Sequence, residues 1–285
     1  MSSSSTALLV TPNIDDLGLR RIVNRGGLSV GLLPNGGVFS LEHAEAGRRI
    51  VVNQVFGSPI AGGMGRLLLR IGGAEPAVLA CAGAEASARV GVGDDRFVWE
   101  GERRGVAFRV TLSLDADANV WLWRLAVENR RETELPCDAL FIQDLGLADA
   151  NFLMSNEAYA CQYLDAFTAR HPRAGFVVMS RQNLAQGSAH PWAAHGCLDG
   201  AEGFATDLRE LLGPAHRDGD ELGPAFGVAL PSRRLQYETG CAALQSRAVT
   251  LAPGATTSWA RRSASPCPLG AFNTKPAVRR FSRQP

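Results

Sequence analysis

The chain has 285 residues, 46% of them apolar and 20% charged, with a formal net charge of +1. That length suits one large all-β domain or two ordinary domains, and the apolar share supports a sizeable core and excludes global disorder. The near-neutral charge gives no case for binding nucleic acid or an anionic membrane surface.

No apolar run reaches the roughly eighteen residues that a membrane helix needs. The first residues, MSSSSTALLV, lack the basic and long apolar segments of a secretory leader, so a cytoplasmic location is expected. The six cysteines, at 81, 137, 161, 197, 241 and 267, include no CxxC pair and read as buried, reduced thiols with no metal site.

From the N-terminus, LSVGLL (28–33), PNGG (34–37) and VFSLEH (38–43) read as a hairpin, because Asn35-Gly36 tolerates positive φ. The Gly-rich GSPIAGGMGRLLLR (57–70) has no GxxxxGK[ST] and no following helix. It reads as a turn leading into a strand at 66–71, and a phosphate loop is excluded. RFVWE (96–100) is strand-like. VAFRVTLSLD (106–115) alternates with Val106, Phe108, Val110, Leu112 and Leu114 on one face. VWLWRLAVEN (120–129) alternates with Trp121, Trp123, Leu125 and Val127, and Asp115–Asn119 joins the two as a second hairpin.

Further strands are expected at ALFIQD (139–144), GFVVMS (175–180), GVAL (227–230) and 234–246. AVTLAPGATTSW (248–259) reads as strand, Pro-Gly turn, strand. ATDLRELLG (205–213) reads as the one short helix, closed by Gly213. Many short strands without βαβ alternation predict an all-β sandwich. The expected organisation is an N-terminal extension (1–24), a sandwich (25–260) and an irregular basic tail (261–285), whose cations Arg261, Arg262, Lys275, Arg279, Arg280 and Arg283 have no acid among them.

The densest polar stretch is QDLGLADANFLMSNEAYACQYLD (143–165), read as a strand end followed by an irregular loop. Carboxylates, amides and aromatic rings are the groups that bind sugars, and the candidates here are Gln143, Asp144, Asn156, Glu157 and Tyr159. Arg181, Gln182, His190 and Trp192 extend the set, since an indole beside an imidazole can stack on a pyranose face and hydrogen-bond its hydroxyls. The competing reading makes the same residues loop pins and buried amides, with Trp192 plugging the core. A mutarotase-like chemistry would pair Glu157 as base with His190 or His195. Asp144, Asp149, Glu157, Asp165 and Asp207 offer carboxylate pairs of the kind glycosidases use. A Ser-His-Asp triad lacks its GxSxG context.

Several segments together carry a resemblance: VVNQVFGSPIAGGMGRLLLRI (51–71), FIQDLGLAD (141–149), SNEAYACQYLD (155–165), GFVVMSRQN (175–183) with AHPW (189–192), FATD (204–207) and LQYETGCAALQSRAVTLAPG (235–254). From about residue 25 to 260 the chain resembles the N-terminal region of 1,2-β-oligoglucan phosphorylases, which group with the inverting disaccharide phosphorylases and cyclic β-1,2-glucan synthases. The resemblance implies a galactose-mutarotase-like β-super-sandwich. In that family a helical linker and an (α/α)6 barrel follow, and the barrel supplies the general acid and most of the site for inorganic phosphate, the co-substrate. Phosphorolysis of β-1,2-glucooligosaccharides to glucose 1-phosphate then needs only one catalytic carboxyl. No barrel fits after residue 260, so the expectation is a domain inactive alone, with no catalytic residue and no cofactor. A frame that is truncated or shifted near 260–265 is expected. The implied partners are a β-glucan oligosaccharide, the missing barrel and a second copy in a homodimer; the alternative is a stand-alone carbohydrate-binding or dimerisation module.

Overall fold

The computed structural model describes residues 18–45, 47–63, 65–73, 76–213, 229–235 and 239–265. The residues expected to form most of the N-terminal extension, the tail beyond Ser265, Cys267, and parts of the strands expected at 227–230 and 234–246 lie outside them.

The alternating segments become strands. In chain order they begin with β1 (Arg20–Val23), β2 (Leu28–Leu32), β3 (Val38–Glu45), β4 (Arg48–Val51), β5 (Arg66–Ile71) and β6 (Ala77–Ala82). There follow β7 (Arg89–Val92), β8 (Arg96–Arg103), β9 (Val106–Leu114), β10 (Val120–Asn129), β11 (Leu135–Asp144) and β12 (Ala148–Asp149). Helix α1 (Ala150–Ala160) precedes β13 (Leu164–His171), β14 (Gly175–Gln182), β15 (Trp192–Cys197) and β16 (Ala201–Asp207). Helix α2 (Leu208–Leu212) precedes β17 (Gly240–Ser246), β18 (Val249–Leu251) and β19 (Thr256–Ala264).

These strands make two sheets. The smaller runs β1-β2-β3-β4-β12. The larger has 14 strands in the order β6-β5-β11-β17-β16-β14-β15-β19-β10-β9-β8-β7, with β13 added on β14 and β18 on β11. Pairing is antiparallel throughout the named ladders except between β14 and β16.

The expected period of two holds in β9 and β10, where Val106, Phe108, Val110, Leu112 and Leu114 meet Trp121, Trp123, Leu125 and Val127 in one core. Ile22, Leu28, Val30 and Leu32 of the smaller sheet complete it. Each such side chain contributes about 1.5–3 kcal/mol on burial. Trp99 stacks on Trp123 at 5.5 Å and donates from Nε1 to the Gly36 carbonyl at 3.0 Å, tying the first hairpin turn to the large sheet. In that turn Gly36 has φ 83°. Gly63, in the Gly-rich stretch, is where a Cβ would meet the Val38 carbonyl oxygen at 2.2 Å; close approach explains the glycine, as the sequence suggests.

Three expectations need correction. The stretch after β11 is not an irregular loop: Asp149 caps α1, its carboxylate accepting from Asn151 N at 2.9 Å. The sandwich starts at Arg20, before the expected boundary, and β19 runs on past residue 260 to Ala264. Ala229 and Leu230 are not in a strand, and β17 begins at Gly240. The strands expected on either side of the Pro-Gly turn form: β18 joins β11, and β19 lies between β10 and β15. The short helix α2 forms as expected, capped by Asp207 and closed by Gly213 at φ 75°. Its Leu208, Leu211 and Leu212 cover Leu68, Leu140 and Ile142 on the other face of the large sheet.

Candidate functional site

The C-terminal end of β11 delivers Gln143 and Asp144 into the interior, 3% and 1% exposed. Asp144 Oδ2 accepts from the backbone N–H groups of Gln54 (2.8 Å) and Val55 (3.0 Å), and Gln143 Nε2 donates to the Asp144 carbonyl at 3.2 Å. The chain then turns through Leu147, a buried residue held at φ 50°. A left-handed leucine is costly, and such strain persists only where surroundings impose it. This turn presents α1, whose backbone breaks helical geometry at Asn156 (φ −140°, ψ 35°).

Gln54 connects these parts. Its Nε2 donates to the Glu157 carbonyl at 3.1 Å and lies 3.3 Å from Cys161 Sγ. Gln182, fully buried, donates from Nε2 to the Gly146 and Ala160 carbonyls, both at 2.9 Å, and accepts from Leu184 N at 3.0 Å. Arg181 stands between Asp165 of β13 and Trp192 of β15 in the sheet register. His190, exposed, has Nδ1 at 3.1 Å from the Gln182 carbonyl, which makes that nitrogen the donor.

The sequence candidates therefore gather in one region but divide into two groups. Gln143, Asp144 and Gln182 are interior pins with their bonds accounted for. Asn156, Glu157, Tyr159, Arg181, His190 and Trp192 are partly or fully exposed, with Tyr159 and the neighbouring Tyr163 the most exposed rings of the region. Gln54, Asn53 and Gln186 are polar pins of the same region that the sequence reading missed. Gln186 Oε1 accepts from Asp149 N at 2.8 Å, and Asn53 Oδ1 accepts from Leu41 N at 2.9 Å. The signal available was an Asn-Gln pair directly following an apolar strand.

His195 does not join this group. It is fully buried inside the large sheet, its Nδ1 2.8 Å from Ser263 Oγ and its ring edge-on to Trp121. The mutarotase-like pairing of Glu157 with His195 is thereby overturned, because the imidazole faces the sandwich core. Among the described residues no group of three or more His, Cys, Asp or Glu is arranged to hold a metal ion. The described cysteines are free and buried, and burial pushes the Cys137 and Cys197 thiols up to about 12. An open groove of about 900 Å³ lies elsewhere, across β8, β9 and β10. Its Glu100, Glu102, Glu128, Arg109 and Arg130 are paired among themselves, and it contains none of the sequence candidates.

The SOGP N-terminal domain matches residues 31–260. The chain belongs to the SOGP N-terminal domain family. A 1,2-beta-oligoglucan phosphorylase of Listeria innocua is 33% identical over 151 residues, 52% of this chain and 13% of that protein. The chain thus spans a small part of the length of this relative. Among solved structures, a polysaccharide lyase superposes with a TM-score of 0.51 at 11% identity, covering 87% of this chain and 32% of the lyase. A putative aldose 1-epimerase from Escherichia coli K12 gives 0.48 at 11% identity, over 87% of this chain and 98% of the epimerase. The lyase match shows a shared sandwich fold.

Within this SOGP N-terminal domain, Asp144 is the carboxyl whose environment is most altered. Burial raises its pKa to about 6; two backbone N–H bonds oppose the rise and the nearby charge of Glu157 adds to it. Because the folded-state value lies above the unfolded one, the group's favourable contribution is complete below the unfolded value and is lost as pH rises through about 6. From about pH 4 to pH 7 that loss amounts to about 2 kcal/mol. His195 acts in the opposite sense: burial, then Arg261, lower its pKa, so its contribution falls as pH drops. Asp144→Asn keeps an acceptor for both N–H groups and removes the first contribution. The difference in unfolding free energy between wild type and Asp144→Asn, followed by urea melts, is expected to shift in the variant's favour between pH 4 and 7. A pH-independent difference would refute the assignment.

Proposed function

We propose that this chain is the sandwich component of a phosphorylase acting on β-1,2-linked glucose oligomers, a carbohydrate-associated domain with no phosphorolytic activity of its own. The observation that carries this reading is the family match over residues 31–260, together with the relative named as an oligoglucan phosphorylase. The chemistry supports it. Inverting phosphorolysis needs a carboxylic acid that can reach the leaving oxygen of a bound sugar. Asp144 has the raised proton affinity of such an acid, but it is 1% exposed and held by two backbone N–H groups. The acid and the phosphate site would come from a helical barrel packed against this domain, and the exposed Tyr159 and His190 with the partly exposed Glu157, Arg181 and Trp192 would line a sugar-facing or barrel-facing surface. A cytoplasmic location fits a helix inventory in which no described helix is long and apolar enough to cross a membrane.

The test is direct. The purified chain, given glucose 1-phosphate and a β-1,2-linked glucose acceptor, is expected to release no phosphate above background, and sustained release would overturn the proposal. A second reading, a stand-alone sugar-binding or dimerisation module, draws on Tyr159 and Tyr163, 58% and 45% exposed. Calorimetric titration with gluco-oligosaccharides separates the two roles: binding abolished by Tyr159→Ala favours the sugar module, whereas a dimer without binding favours assembly.

A further inference from the structure

Strand β19 carries an unusual row into the interior. Its alternation places Trp259, Arg261 and Ser263 on the core face, opposite Leu125, Trp123 and Trp121 of β10. On the other side Arg261 faces Cys197 and Ser263 faces His195 of β15. Arg261 is 1% exposed, and its Nε, Nη1 and Nη2 have no hydrogen-bond partner among the described residues. Two further buried groups in the same rows, Trp121 Nε1 and His195 Nε2, are also without one.

The chemistry of these orphaned groups is one-sided. A guanidinium and an indole N–H can only donate. In the tautomer in which Ser263 Oγ donates to His195 Nδ1, Nε2 carries the proton and is a donor too. Three neighbouring side chains therefore present donors, and one of them is positively charged. Among the described residues no carboxylate is paired with it. Asp199, close enough to act on the Cys197 thiol, accepts from Ala260 N at 2.8 Å. Burial pulls the guanidinium down to about 10, which still leaves it charged near neutrality. An isolated buried charge is among the costliest arrangements a core can hold unless a counter-charge reaches it. The cross-strand neighbour of Arg261 on β15, Cys197, is small and buried.

We propose that Arg261, His195 Nε2 and Trp121 Nε1 form a buried binding site for a small inorganic anion, a halide or a tetrahedral oxoanion, within the sandwich. The anion would neutralise the guanidinium and accept from the imidazole and the indole. This site stands apart from the sugar-associated region and does not depend on the proposed phosphorylase role.

Thermal unfolding of the full chain tests it at constant ionic strength. Sodium gluconate is replaced stepwise by sodium bromide in one series and by sodium sulfate in another. The wild-type midpoint is expected to rise saturably with at least one anion, and the two series tell halide from oxoanion. Arg261→Met, which removes the charge without adding a polar group, is expected to lose that response. Bromide-soaked crystals would then show anomalous scattering within hydrogen-bond distance of Arg261. A wild-type midpoint indifferent to both anions, or an equal response in Arg261→Met, would overturn the site.

Discussion

Gln182→Ala is expected to destabilise the fold by about 3–5 kcal/mol, because it strands several buried polar groups at once. Gln182 is fully buried and bonds three separate segments: the strained turn at Gly146, the end of α1 at Ala160, and the loop at Leu184. Each buried backbone group left without a partner costs about 1–3 kcal/mol, and the space left by the amide adds to it. Against a typical stability of about 5–15 kcal/mol the loss is large. Urea denaturation measures it. The same variant decides between two meanings of the residue. A sugar ligand would lose oligosaccharide binding while keeping its midpoint; a pin loses the midpoint. Gln182→Glu, which keeps the shape but loses the amide donor, should fall close to the alanine variant.

Local patterns were legible in the sequence, and non-local ones were not. The alternation in β9 and β10 showed which residues enter the core, because a half-buried strand writes its two faces directly into the order of residues. Asn35-Gly36 marked a turn and Gly213 the end of a helix through backbone chemistry of the same local kind. Helix α1 escaped notice because ANFLMSNEAYA has no continuous apolar stripe. It buries only Ala150, Leu153 and Ala160 and breaks at Asn156. Its polar residues looked like a loop because, apart from the local Asp149 cap, the contacts that fix it come from Gln54, Gln182 and Gln186, far away in the chain. The pairing of β18 with β11 was not legible for a similar reason: a Pro-Gly turn marks where a strand ends, while the sheet order is set by the whole sandwich.

The candidate site was legible as a neighbourhood and misleading in its details. The region containing Gln143, Asp144, Glu157, Gln182 and His190 does come together, but sequence cannot tell a carboxylate that faces a ligand from one that anchors two backbone N–H groups. Asp144 proved to be the anchor. His195 showed the reverse error. An imidazole three residues beyond Trp192 looked available for acid–base chemistry, yet strand alternation turns it into the core.

Arg261→Met is expected to stabilise the chain, which is an unusual direction for a change at a fully buried position. Alternation after Trp259 was there to be read, but the basic residues suggested a tail, so the strand's continuation to Ala264 was missed. The consequence is energetic. Arg261 is charged, 1% exposed and without a hydrogen-bond partner among the described residues, so its desolvation is offset by nothing in the described fold. Replacing buried ionic groups by well-packed apolar ones commonly stabilises by about 1–4 kcal/mol, and an uncompensated charge belongs at the upper end of that range. Methionine is flexible enough to fill the space beside Trp123 and Cys197. A gain of about 3 kcal/mol corresponds to a rise in midpoint of roughly 5–10 °C for a chain of this size. Measured in gluconate, the gain should appear in full. In the presence of an anion that occupies the site it should shrink, since mass action then stabilises the wild type alone. A variant that melts below the wild type in both conditions would mean that the guanidinium supports the core by packing, and that its charge is not the dominant cost.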